Sequence, residues 1–187
     1  MGLSQLPRGA RLTFIPQHSS DAARARALLR VLPALQGRPI QLFRAEGLRE
    51  GGRLVHAGSF LPQRAIAFNC PRREFPRVLV HELFHFAWFR LGNPRRLSYE
   101  SLLHREHDAG ARGELGWSAE WRKRELTGKD IRTRSRLWRE YCCESFCDTA
   151  ASIYSGVPDH EEFTLARRYR ERRETWFARV AAEGFRL

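Results

Sequence analysis

The sequence predicts an α+β fold, and two observations carry that prediction. Four short strand-like runs, bounded by turn residues and with one helix among them, fall within the first 70 positions, whereas everything from about residue 75 onward has helical spacing and length. Strands first and helices afterwards argue against a doubly wound sheet, in which the two would alternate. The 187 residues suffice for one domain with a real core. They read as one unit, 1–93 carrying a small mixed sheet and a central helix, 94–187 a mostly helical half.

The elements follow in order. RLTFIPQ (11–17) is a short strand stopped by Pro16, and Ser20 and Asp21 are cap candidates for a helix ending near Leu32 before Pro33. PIQLFRA (39–45) is a second strand. Gly51 and Gly52 open a hairpin whose arms are 53–60 and 64–70, turning around Leu61 to Gln63. A helix begins near Phe75, with Pro76 in its first turn, and stops before Gly92, Asn93 and Pro94. Further helices are expected at about 98–107, 118–126, 135–155 and 159–182.

Composition narrows the class. Five Trp and twelve Phe are too many for a disordered chain. No apolar run approaches the roughly 20 residues of a membrane span. The opening MGLSQLPRGARLTF lacks the apolar core of a secretory signal, so a cytoplasmic protein is expected. Three of the four cysteines, Cys142, Cys143 and Cys147, crowd one helix while Cys70 stands apart; buried reduced thiols are expected, not a disulfide framework. The net charge of +12 comes almost entirely from arginine, with Lys123 and Lys129 the only lysines. These charges are dispersed, and the run Arg167 to Arg173 alternates with Glu171 and Glu174 like a solvated helix face. That dispersion argues against nucleic-acid binding as the main role; an acidic protein partner or substrate explains the charge as well.

The chemistry is concentrated in VLVHELFHFAWF (78–89). On a helix, His81 and His85 are separated by about 40° and one turn, so both imidazoles point to one side and can reach a single tetrahedral zinc. Glu82 lies about 100° round, where its carboxylate can act as general base toward a water at the metal. Chance predicts only about 0.02 such H-E-x-x-H patterns in a chain of this composition. The surrounding residues are apolar in every direction of the wheel, which marks a buried helix. Two His and a Glu buried there without partners would cost several kcal/mol, and a metal supplies the partner.

In these residues the chain resembles the zincin metallopeptidases, which share HExxH and differ in the third ligand. The metzincin pattern is absent, because Trp88 and Leu91 stand where it requires Gly and His. The gluzincin (thermolysin-like) pattern, a later helix with E-x-x-x-D, is matched by Glu144 and Asp148 within SRLWREYCCESFCDTAASIY. Spacing alone places those two carboxylates on one helical face, so one can ligate while the other fixes the tautomer of a ligand histidine; the resemblance implies that this histidine is His81. Glu140, on the same side, is the fallback ligand, and His104 and His107 are further candidates. The resemblance further implies a zincin-like fold over roughly 53–155, one zinc per chain, and a peptide or protein substrate. It also implies an edge strand along which that substrate lies, here Ala65, Ile66, Ala67, Phe68 and Asn69. An oxyanion-stabilising side chain is expected as well, with Tyr141 and Tyr154 as candidates.

Two other functions compete. A deformylase-like amide hydrolase would take a cysteine ligand from an EGC-type motif, which FNCPRR around Cys70 does not supply. A non-catalytic zincin frame that grasps nucleic acid or an acidic partner through its arginines would have no need of Glu82.

Overall fold

The computed structural model describes residues 19–50 and 52–187, and the strand expected at 11–17 lies outside them. Helix α1 (Ser19–Leu29) comes first, so Ser20 and Asp21 lie inside its first turn and not at its cap. Among the described residues there are seven short strands: β1 (Leu35–Gln36), β2 (Gln41–Arg44), β3 (Arg49–Glu50), β4 (Arg53–Leu54), β5 (Ala57–Phe60), β6 (Ala65–Phe68) and, far downstream, β7 (Phe185–Arg186). Of these, β2, β5 and β6 fall within expected runs, β4 falls in the same expected arm as β5, and β1, β3 and β7 lie outside any expected run. Six further helices are α2 (Phe75–Arg90), α3 (Asn93–Asp108), α4 (Trp117–Glu125), α5 (Gly128–Thr133), α6 (Arg136–Tyr154) and α7 (Arg167–Ala181). The mixed α+β class is as the sequence predicts.

The main sheet has three strands in the order β2-β6-β5. β6 runs parallel to β2 and antiparallel to β5, with Ala67 opposite Phe43 on one side and Gly58 on the other. All four β6 residues are buried, which is why this strand is a continuous apolar run. Arg64, at φ 51, makes the left-handed residue that closes the β5–β6 hairpin. Gly52 instead lies in the turn of a separate two-stranded ribbon, β3 with β4, and Gly51 lies outside the described residues.

This topology corrects the expected substrate rail. Ala65 to Phe68 form the central strand, with hydrogen bonds on both sides, and the N–H of Asn69 donates to His56 O at 2.6 Å. A peptide has no free edge there. Among the described residues the open edge beside the motif helix belongs to β5.

Downstream, three boundaries depart from expectation. Pro94 starts α3 as well as ending α2, because proline fits a first helical turn. The short helix α5 is set by a capping box in which Thr127 and Asp130 satisfy each other's backbone N–H groups. Residues 159–166 are not helical; α7 starts only at Arg167. The 94–187 half also contributes β7, which pairs in parallel with β1.

The core is built on α2 and α6. Phe84 of α2 is fully buried against Phe146, Tyr154, Phe177 and Phe185, with ring centroids 5.8, 5.6, 6.2 and 5.1 Å away. Each such phenylalanine stabilises the fold by roughly 1.5–3 kcal/mol. With one side of α2 fixed in this way, His81 and His85 are left on another face, turned toward α6.

Candidate metal centre

Helix α2 presents His81 and His85 with their Nε2 atoms 3.2 Å apart. Helix α6 brings Glu144 Oε2 to 3.3 Å from the first and 3.9 Å from the second. Metal–ligand bonds of the length zinc prefers give a tetrahedral ligand–ligand edge of about 3.3 Å; the two edges at His81 match it, and the His85–Glu144 edge is longer at 3.9 Å.

The remaining partners decide which atoms carry protons. Asp148 Oδ1 lies 2.8 Å from His81 Nδ1, and an ionised carboxylate only accepts, so Nδ1–H donates and Nε2 keeps its lone pair. His85 Nδ1 lies 3.5 Å from Cys143 Sγ, which leaves the His85 Nε2 lone pair facing the same point. Two lone pairs and a carboxylate oxygen therefore converge, and such a trio requires a cation. In the metal-free chain a proton serves. Burial opposes the charged form of His81, but Asp148 and Glu144 outweigh it and hold the imidazole well above its ordinary range. His85 is pushed up to about 9: burial opposes this, and Cys143 and Glu144 overcome it. Glu144 would be raised by burial, yet both histidines and Arg122 draw it down to about 2.

Asp148 is itself held from a third helix. Its Oδ2 accepts from the Ala119 N–H at 3.0 Å, in the first turn of α4. This approach depends on Gly116, because a Cβ there would sit 2.1–2.4 Å from the Asp148 carboxyl atoms. Arg122, also on α4, places Nη2 3.6 Å from Glu144 Oε1. One carboxylate thus ties together α2, α4 and α6.

Cysteine also reaches this centre. A set of one ligand atom each from His81, His85 and Cys147 lies within 4.8 Å of one another, so these three residues could hold a metal ion. Cys147 is fully buried and its thiol is hydrogen-bonded to Cys143, which draws the Cys143 thiol down to about 6. None of the four cysteines forms a disulfide.

Glu82 is buried at the edge of the site. The Ser59 hydroxyl, on β5, lies 2.6 Å from Glu82 Oε2 and 2.7 Å from the Glu82 carbonyl oxygen, and with one proton it donates to one of them at a time. The general-base candidate is therefore positioned by the open strand of the sheet.

The other candidates are placed elsewhere. Tyr141 is buried and donates its hydroxyl to Glu114 Oε1 at 2.6 Å, which commits it to a core network and not to an oxyanion. Tyr154 packs its ring on Phe84 and Phe177. His104 and His107 are exposed beside Asp108 at the end of α3, and Glu140 pairs with Arg136 at the surface, so none of the three fallback ligands joins the cluster.

Sequence reasoning missed Ser59, Arg122, Cys143 and Cys147 as neighbours of the site. For the cysteines a signal existed: they stand one before and three after Glu144, flanking it on the helical wheel. The Arg167 to Arg173 run also needs correction. Arg167 and Glu171 do pair on an exposed face, but Arg173 is completely buried between Glu106 and Glu114, at 2.6 and 2.7 Å.

Comparison with protein families, with curated proteins and with solved structures finds no match to this chain.

Proposed function

We propose that this chain is a zinc-dependent peptidase, its metal held by His81, His85 and Glu144. The convergence of three acceptor atoms at 3.2–3.9 Å, with Glu82 one residue along the same helix, carries this reading. Zinc suits two imidazoles and a carboxylate, and when bound it supplies a Lewis acid that polarises a carbonyl and acidifies water.

The chain's own residues do the rest. Asp148 fixes the His81 tautomer, and Glu82 takes the proton of the attacking water and returns it to the departing amine. Ser59 steadies Glu82 through a hydrogen bond that can shift between carboxylate and carbonyl oxygen as the carboxyl gains a proton. The open edge of β5 offers backbone groups to an extended peptide, in place of the buried strand β6. Arg122, whose Nη2 lies 3.6 Å from Glu144 Oε1, is the candidate for steadying developing negative charge, a role that Tyr141, bonded to Glu114, does not fill.

Among the described residues no helix is long and apolar enough to cross a membrane. The competing reading, a non-catalytic frame whose arginines grasp a partner, rests on the +12 charge alone. Cleavage of a quenched fluorescent peptide library, alongside metal content, separates the two. A peptidase loses cleavage in Glu82→Gln while retaining one zinc per chain. A wild-type protein that binds zinc but cleaves no peptide in the library contradicts the proposal.

A further inference from the structure

We infer that Cys147 is a fourth, displaceable ligand, so that the resting centre is closed by a thiolate and peptide hydrolysis requires that thiolate to leave. The inference rests on the zinc reading above and concerns how that site is regulated.

Three observations lead to it. Cys147 comes from the same helix as Glu144, three residues on, and its sulfur belongs to a cluster with His81 and His85 inside 4.8 Å. It is wholly buried, whereas the side chains of His81, His85 and Glu144 each keep 13–19% exposure. The thiol therefore approaches from the interior, on the side away from solvent. Finally, Cys147 forms no disulfide, so its sulfur is chemically available to a metal.

A set of two His, one Glu and one Cys is complete for a four-coordinate metal, and closed sites of that kind are structural or resting, whereas catalytic sites keep a place free. Cys147 releases its thiol proton to water on binding the metal and takes one back on leaving it, which gives the centre two states.

Cobalt reports the ligand set directly. The purified chain is stripped with chelator, loaded with Co²⁺, and its absorbance recorded for wild type, Cys147→Ala, Cys143→Ala and His85→Ala. The expected result is an intense near-ultraviolet sulfur-to-cobalt band in wild type and Cys143→Ala. In Cys147→Ala that band is lost while the visible bands of bound cobalt remain. Cleavage of the peptide library by zinc-loaded Cys147→Ala should rise about tenfold or more, the equivalent of lowering a barrier by 1.4 kcal/mol. Bound cobalt without the sulfur band in wild type, or a band lost only in Cys143→Ala, overturns the inference while leaving the zinc site standing. No cobalt uptake by folded wild-type protein overturns both.

Discussion

Asp148 and His81 form the link on which the centre turns: Oδ1 of the first sits 2.8 Å from Nδ1 of the second, while the other Asp148 oxygen accepts from the Ala119 N–H. The amide of Asp148→Asn can keep the shape but not the charge that orients the imidazole. Zinc affinity should fall about 10–100-fold, read by competition with a chromophoric chelator. Gly116→Ala should act in the same direction by pushing its Cβ into that carboxylate. Affinities equal to wild type in both would remove Asp148 from the site.

Glu82 touches Ser59 and lies beside the ligands without being one of them. Glu82→Gln should lower the peptide cleavage rate by about 10²–10⁴-fold, with zinc stoichiometry unchanged in elemental analysis. Loss of zinc in this variant would instead mean that Glu82 helps to hold the metal.

Zinc should also stabilise the fold, because its ligands come from two helices that must be docked for it to bind. At 100 to 1,000 times its Kd, free zinc adds about 2.7–4.1 kcal/mol. The chelated protein should therefore melt at a lower temperature than the zinc-loaded one, and Glu144→Ala should abolish most of the difference. An equal difference in Glu144→Ala would move the third ligand away from that residue.

A separate prediction concerns acid. Glu114 would be raised by burial, but Arg173 and Lys123 draw it from 4.5 to about 2. Since the folded state favours the charged form, this contribution is present above pH 4.5 and is lost as pH falls through about 2. Glu114→Gln should flatten that part of the stability profile. At neutral pH it leaves Arg173 short of a partner, at a cost of about 3–5 kcal/mol, or roughly 6–20 °C in Tm. A full acid dependence retained in the variant would show that Glu114 is not its source.

What the sequence disclosed follows from the range of its signals. His81, Glu82 and His85, and likewise Glu144 and Asp148, are fixed relative to each other by helical spacing, and that is local information. The hairpin β5–β6 was legible for the same reason. The parts that were not legible depend on which surfaces meet. Ser59 comes from a strand, Arg122 and Gly116 from another helix, and nothing in their own neighbourhoods marks them as facing Glu82, Glu144 or Asp148. Arg173 resembles its exposed neighbours in sequence and differs only in the two carboxylates that surround it. Strand order has the same character: β6 looks like a possible edge until β2 is seen beside it.

The pairing of β1 with β7 sets the order in which the chain can become complete during synthesis. Leu35 and Gln36 must wait for Phe185 and Arg186, nearly the whole chain later, and Phe185 also fills the space beside Phe84 on the helix that carries both histidines. A contact of such long sequence separation is slow to close and is made last. On a ribosome, then, the motif helix emerges early but lacks part of its final packing until residues 185 and 186 have been translated. His81 and His85 thus stand on a helix whose packing is completed only when the far end of the described chain has been made.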